Sequence, residues 1–161
     1  MPSVLFVCRA NQCRSPMAEV LFREIHAREG NLAGWRIESA GTWALEGHPA
    51  DKGAQKAMLE LGLTMIQHRT RMVSHELLQQ FDLILTMEQG QKEALRVEFP
   101  GLASRIYMLS EMVGEKVDIA DPIGGKSQDY REAIEAITKF LNAGHTRIVR
   151  LASSLTRPFI T

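Results

Sequence analysis

The sequence predicts an α/β fold, a doubly wound sandwich three layers deep with about four parallel strands. Four apolar runs, Val4 to Val7, Ile37 to Ala40, Leu83 to Thr86 and Ile106 to Leu109, are short, aliphatic and without strict alternation, as strands covered on both faces are. The stretches between them carry helical spacing, and strands that alternate with helices build a parallel sheet with right-handed crossovers. The chain has 161 residues, 45% of them apolar, enough to bury the core of one domain.

Taken in order, the first strand, Val4 to Val7, leads through a loop to Ser15 and Pro16. Ser15 suits a helix N-cap and Pro16 the first helical position, so a helix is expected from Pro16 to Arg28. The strand at Ile37 to Ala40 is followed by helical spacing over Pro49 to Leu61 and Ser74 to Gln80. The strand at Leu83 to Thr86 is followed by Gln89 to Phe99, and the strand at Ile106 to Leu109 is followed, after a loop, by Gln128 to Leu141. The helical pattern stops at Asn142-Ala143-Gly144, which sets a domain over residues 1–144 and a C-terminal extension over 145–161. That extension mixes basic and apolar residues without a period; a strand, a helix, a cap on a neighbour and disorder all remain open for it.

Lysine plus arginine and aspartate plus glutamate stand at 19 each, so no global field argues for nucleic acid or an anionic membrane surface. No apolar run approaches the roughly 18 residues that span a bilayer, and the N-terminus reads as a strand, not as a signal peptide. A cytoplasmic protein is expected. Cys8 and Cys13 are the only cysteines, too few for a disulfide scaffold and suited to a reducing compartment where a thiol serves as reagent. Without further cysteines or suitably spaced histidines, no metal site is expected.

In a doubly wound sheet, ligands bind at the carboxyl ends of strands. Cys8 stands at such an end, and Arg14 closes the loop after it. The amides of Arg9, Ala10, Asn11, Gln12, Cys13 and Arg14 can point inward as a nest of donors, with the helix N-terminus behind them, which makes a phosphate cradle. Cations and a helix N-terminus lower a thiol's pKa from about 8.5, so Cys8 can be ionised as a nucleophile. Arg14 offers a planar fork for two phosphoryl oxygens, and Ser15 can donate to the Cys8 sulfur. Asn11 tolerates the left-handed backbone such a loop requires. The competing reading makes Cys8 a small buried hydrophobe. The strand before it, the Ser-Pro helix start after it and the arginine at the closing position favour the functional one.

The run Cys8-Arg-Ala-Asn11-Gln-Cys13-Arg14-Ser15-Pro16-Met-Ala-Glu19 resembles the signature loop of the low-molecular-weight protein tyrosine phosphatases. Glu38 to Thr42 is similar to that family's segment after the second strand, Asp82 to Met87 to its third strand, and Asp121-Pro122 to its general-acid loop. The resemblance covers roughly residues 3–142 and implies a flavodoxin-like strand order 2-1-3-4. It implies a phosphorylated protein as substrate, no cofactor, and a monomer or weak dimer. It also implies Cys8 as nucleophile, Arg14 as phosphate clamp and Asp121 as acid, with Asn11, Ser15, Ser39 and His68 in a polar network beneath the loop.

From the residues alone, Val117 to Gly125 offers two acids, Asp118 and Asp121, and the proline and glycines after Asp121 make its loop the more defined. Cys13 is either inert packing or a second thiol that captures an oxidised Cys8 as a disulfide. Two positions keep the chain from matching either specificity class of the family: the phosphotyrosine-specialised members usually carry an aromatic after the Asp-Pro pair. Here Ile123 and two glycines follow, a form that resembles the family's protein arginine phosphatases, whereas Gln12 replaces the small hydroxyl residue of those proteins. Trp43, with Leu45 beside it, is a candidate pocket wall or else a loop anchor, and Arg9 adds charge at the mouth. Hydrolysis of phosphotyrosine is the leading expectation, phosphoarginine the runner-up. Arsenate reduction shares the nucleophile but lacks further relay cysteines here, and a phosphate-binding module without turnover comes last.

Overall fold

A computed structural model of the chain describes residues 1–29 and 34–154. Four strands, β1 Ser3–Cys8, β2 Arg36–Gly41, β3 Leu83–Thr86 and β4 Ile106–Met108, pair in parallel in the order β2-β1-β3-β4. The strand order and class are those expected. β1 and β3 are buried throughout, which explains why their sequences lack alternation: each face meets a helical layer. Val4, Phe6, Ile37, Leu83 and Leu85 belong to one core, Leu5, Val7, Ala40, Ile84 and Ile106 to the other. The period of two thus divides a continuous apolar run between two cores.

The first core is covered by α1 Arg14–Arg28 and α5 Ser127–Ser154, with α2 Lys52–Leu59 beside α5. The second is closed by the short α3 His75–Leu78, by α4 Gln89–Glu98, and by the 3-10 turn Pro100–Arg105. Asp51 caps α2 by accepting from Ala54 N, and Ser74 caps α3 by accepting from Leu77 N.

Two expectations are corrected. Helix α1 begins at Arg14 with Cys13 in the capping position, so Ser15 lies inside the first turn. Its hydroxyl is drawn into contacts with Cys8, Asn11 and Ala40 instead of capping the helix. The last helix does not stop at Asn142-Ala143-Gly144 but continues to Ser154, with Ile148 and Ala152 fully buried. Gly144 is a point of close approach: a Cβ there would lie 2.7 Å from Met112 Cβ in the 3-10 turn Leu109–Val113. A glycine that lets two elements touch looks, in sequence, like a glycine that ends one. Most of the predicted extension is therefore the end of α5, and residues 155–161 lie outside the described residues.

Candidate active site

The loop between β1 and α1 is shaped from outside. Thr42 N donates to Cys8 O at 2.9 Å, Trp43 N to Arg9 O at 2.8 Å and Asp51 N to Gln12 O at 2.8 Å. His68 Nε2 stands 2.6 Å from Asn11 O. Each of these carbonyls faces a flanking segment. Because the peptide bonds are trans, the N–H groups of Arg9, Ala10, Gln12 and Cys13 are turned to the opposite, concave side. Asn11 takes φ 57°, the left-handed conformation the loop needs to close. Gly41 at the end of β2 leaves room for the loop, since a Cβ there would lie 2.5 Å from Arg9 O and 2.9 Å from Asn11 N.

Beneath the concave side runs a buried polar chain. Cys8 Sγ lies 2.9 Å from Ser15 Oγ. Asn11 Nδ2 donates to Ser15 Oγ at 2.9 Å and to Ser39 Oγ at 3.0 Å, and Asn11 Oδ1 accepts from Arg71 N at 3.0 Å. With Asn11 already donating to it, Ser15 has one proton to give, either to Cys8 Sγ or to Ala40 O at 3.3 Å. The shorter contact is the one to sulfur, where a thiolate would draw the proton. Burial pushes the Glu19 carboxyl up, against the lowering effects of Arg23 and of a bond from Ser39. Burial holds the His68 imidazole below its ordinary value, against its bond to Asn11 O, and the charges of Arg71 and Arg69 lower it further. A neutral His68 meets a carbonyl at Nε2 only by donating from it.

Arg14 is 2% exposed. Its Nη1 donates to Ile119 O at 2.6 Å and pairs with Glu88 Oε2 at 2.9 Å, leaving Nε and Nη2 as its open edge. Asp121 Oδ2 stands 3.7 Å from Nη2 and is 42% exposed, while its Oδ1 accepts from Ile123 N. Asp118 points elsewhere: its Oδ1 accepts from Gln89 N, at the start of α4. Of the two candidate acids, Asp121 alone meets the arginine. Trp43 is 71% exposed, Leu45 66% and Ile123 39%, so all three present apolar surface to solvent. Arg9 lies over the Trp43 ring, its Cζ 5.7 Å from the centroid. Cys13 is a free, buried cysteine; burial pushes its thiol far up, and neighbouring Cys8 and Asp121 add to the shift.

The structure thus brings Cys8, Asn11, Arg14, Ser15, Ser39, His68 and Asp121 into one connected site. Glu88 and Arg71 join them without having been singled out in the sequence. Glu88 follows β3 on the same edge of the sheet as Cys8, and an acid at a strand's carboxyl end was the available signal. Arg71 donates from Nε to Ser39 O and pairs with Glu38 Oε1 at 2.6 Å, a bracing role that no local pattern announces. Among the described residues no group of three or more His, Cys, Asp or Glu side chains could hold a metal ion.

Residues 3–153 match the family model described as low molecular weight phosphotyrosine protein phosphatase. The chain is 36% identical over 146 residues to the probable low molecular weight protein-tyrosine-phosphatase EpsP of Ralstonia nicotianae, covering 91% of this chain and 95% of that protein. It is 32% identical over 139 residues to the protein-arginine-phosphatase of Bacillus subtilis, covering 86% and 91%. Among solved structures, a low molecular weight protein tyrosine phosphatase from T. tengcongensis superposes with TM-score 0.85 at 33% identity, over 91% of this chain and 99% of that one. A YwlE arginine phosphatase variant bearing a phosphorylated active-site serine superposes with TM-score 0.86 at 29% identity, over 95% and 99%. With the sheet order and the loop geometry already described, these matches establish that the chain belongs to the low molecular weight phosphotyrosine protein phosphatases, a family of hydrolytic enzymes.

Proposed function

We propose that the protein hydrolyses phosphotyrosine in phosphoproteins through a phosphocysteine on Cys8. The observation that carries this reading is the position of Cys8 Sγ, 2.9 Å from Ser15 Oγ at the floor of a loop whose Cys8, Arg9, Asn11 and Gln12 carbonyls are tied outward. The Cys8 thiolate attacks phosphorus, and the inward N–H groups and the open edge of Arg14 hold the phosphoryl oxygens as charge shifts among them. The bond from phosphorus to the tyrosyl oxygen breaks, and Asp121 gives that oxygen its proton. The Asp121 carboxylate then takes a proton from a water molecule, whose oxygen attacks phosphorus. Inorganic phosphate leaves, and Ser15 hydrogen-bonds the departing thiolate. Exposed Trp43 and Leu45 offer an apolar wall for an aromatic ring. A reaction through a free thiol needs reducing surroundings, and a cytosolic setting is part of this proposal.

Hydrolysis of phosphoarginine is the second reading. It is favoured by the Asp121-Pro122-Ile123-Gly124-Gly125 loop and by relatives named protein-arginine-phosphatase. Steady-state kinetics on matched phosphotyrosine and phosphoarginine peptides separate the two. Cys8→Ser is expected to abolish turnover of an activated aryl phosphate, and retained turnover would exclude the mechanism. Asp121→Asn is expected to slow substrates with poor leaving groups more than those with good ones; equal slowing would assign the acid elsewhere.

A further inference from the structure

The mouth of the cysteine loop is electrically lopsided. β1 lies between β2 and β3, so the loop after β2 that carries Trp43 and the loop from Asp118 to Gly125, tied to Met87 and Gln89 after β3, stand on opposite sides of Cys8. On the β3 side, Asp121 stands 3.7 Å from Arg14 Nη2, and behind it Asp118, Asp129 and Glu132 share with it a cleft of about 520 Å³. On the β2 side stands Arg9, exposed, its guanidinium over the Trp43 ring. Among the described residues Arg9 has no carboxylate partner, whereas Arg14, Arg23, Arg36 and Arg71 each have one. The cradle already has its buried guanidinium in Arg14, and Arg9 instead lies outward on Trp43. A tryptophan face restrains a guanidinium without neutralising it. The result is a held, unpaired cation on one side of Cys8, and Asp121 with further acids behind it on the other.

A polypeptide whose phosphorylated side chain enters the cradle must run its flanking residues over these walls, and at about 3.8 Å per residue the first and second neighbours are the ones that meet them. We propose that Arg9, seated on Trp43, is a specificity-determining residue that reads an acidic side chain one or two positions from the phosphorylated residue, on one flank of the substrate only. The inference rests on the phosphatase reading above and names the class of peptide that site takes. An acid on the other flank meets Asp121 and is disfavoured.

The test is kcat/KM on phosphotyrosine peptides with Asp or Asn at each of the two positions before and after the phosphotyrosine. Each Asp peptide is compared with its Asn counterpart on the same enzyme, so that any change in overall rate cancels. Wild-type enzyme is expected to favour Asp by about threefold to fivefold on one flank, the range of an exposed ion pair, and to show no gain or a loss on the other. The preference should shrink at high salt and vanish in Arg9→Gln. A preference equal on both flanks, one that survives Arg9→Gln, or none at all would overturn the proposal while leaving the phosphatase reading intact. Failure to turn over even the Asn peptides would instead overturn the phosphotyrosine reading and this proposal with it.

Discussion

Asn11 combines a left-handed backbone with a side chain that is fully buried and has both amide protons and its carbonyl engaged. Glu88 has a different task, to hold Arg14 by its Nη1 while the anion site is free. Removing its charge leaves a buried guanidinium short of a partner. Glu88→Gln is therefore expected to lower stability by about 1–3 kcal/mol. Inorganic phosphate, which supplies Arg14 with another anion, should restore part of that loss. Thermal denaturation with and without phosphate measures both, and an equal loss in the two conditions would show that Glu88 does not serve Arg14. Asn11 was legible in the sequence because the strand, the loop and the helix start surround it within a few residues. Glu88 was less so: its place at a strand's carboxyl end was a signal, but its partner comes from the loop after the neighbouring strand, far away in sequence, and nothing near residue 88 names that arginine.

Among the elements, β1 and α1 fell close to where the residues put them, and α5 did not end where expected. The difference lies in what each pattern depends on. The aliphatic run of β1 is dictated by burial on both faces, a local statement. Gly144 depends on Met112, a contact no window of α5 contains. Inside an exposed helix, glycine to alanine usually stabilises by about 1 kcal/mol. Here the added Cβ would meet Met112 Cβ at 2.7 Å, so Gly144→Ala is expected to destabilise instead, by about 1–3 kcal/mol. Chemical denaturation reads the sign directly, and a gain in stability would show that the helix and the 3-10 turn part without cost. Tyr130, near the other end of α5, ties that helix to the site. Its hydroxyl bonds Asp51, whose backbone N–H holds Gln12 O, and burial with that bond raises the phenol to about 12.

The whole molecule carries as many acidic as basic residues, so its response to pH comes from particular carboxylates and not from a net field. Burial alone would raise the Glu38 carboxyl, but bonds from Arg36 and Arg71 more than reverse this and hold it below the ordinary 4.5. Glu111 is held low in the same way: bonds from Lys92 and the Met108 amide outweigh its burial. For such groups the unfolded chain binds protons first as pH falls, so their stabilisation is present above about pH 4.5 and is lost as pH drops through the lower folded values. Glu19, raised by burial, acts in the opposite sense, its contribution fading as pH rises above 4.5. Glu38→Gln is expected to reduce stability at neutral pH and to flatten the acid limb of the stability profile. An unchanged limb would show that the Arg36–Glu38–Arg71 cluster is not what acid disrupts.

The outward carbonyls of the cysteine loop also bear on how the molecule assembles. Cys8, Arg9, Gln12 and Asn11 find their partners in Thr42, Trp43, Asp51 and His68, so the anion cradle is closed entirely by segments that arrive later in the chain. An isolated strand-loop-helix fragment has the signature residues but nothing to turn its carbonyls away. The site therefore forms only once β2 and the segments beyond it have docked, through contacts distant in sequence. Phosphate, which needs the closed cradle, should act on this protein mainly as a brake on unfolding, with little influence on the speed of folding.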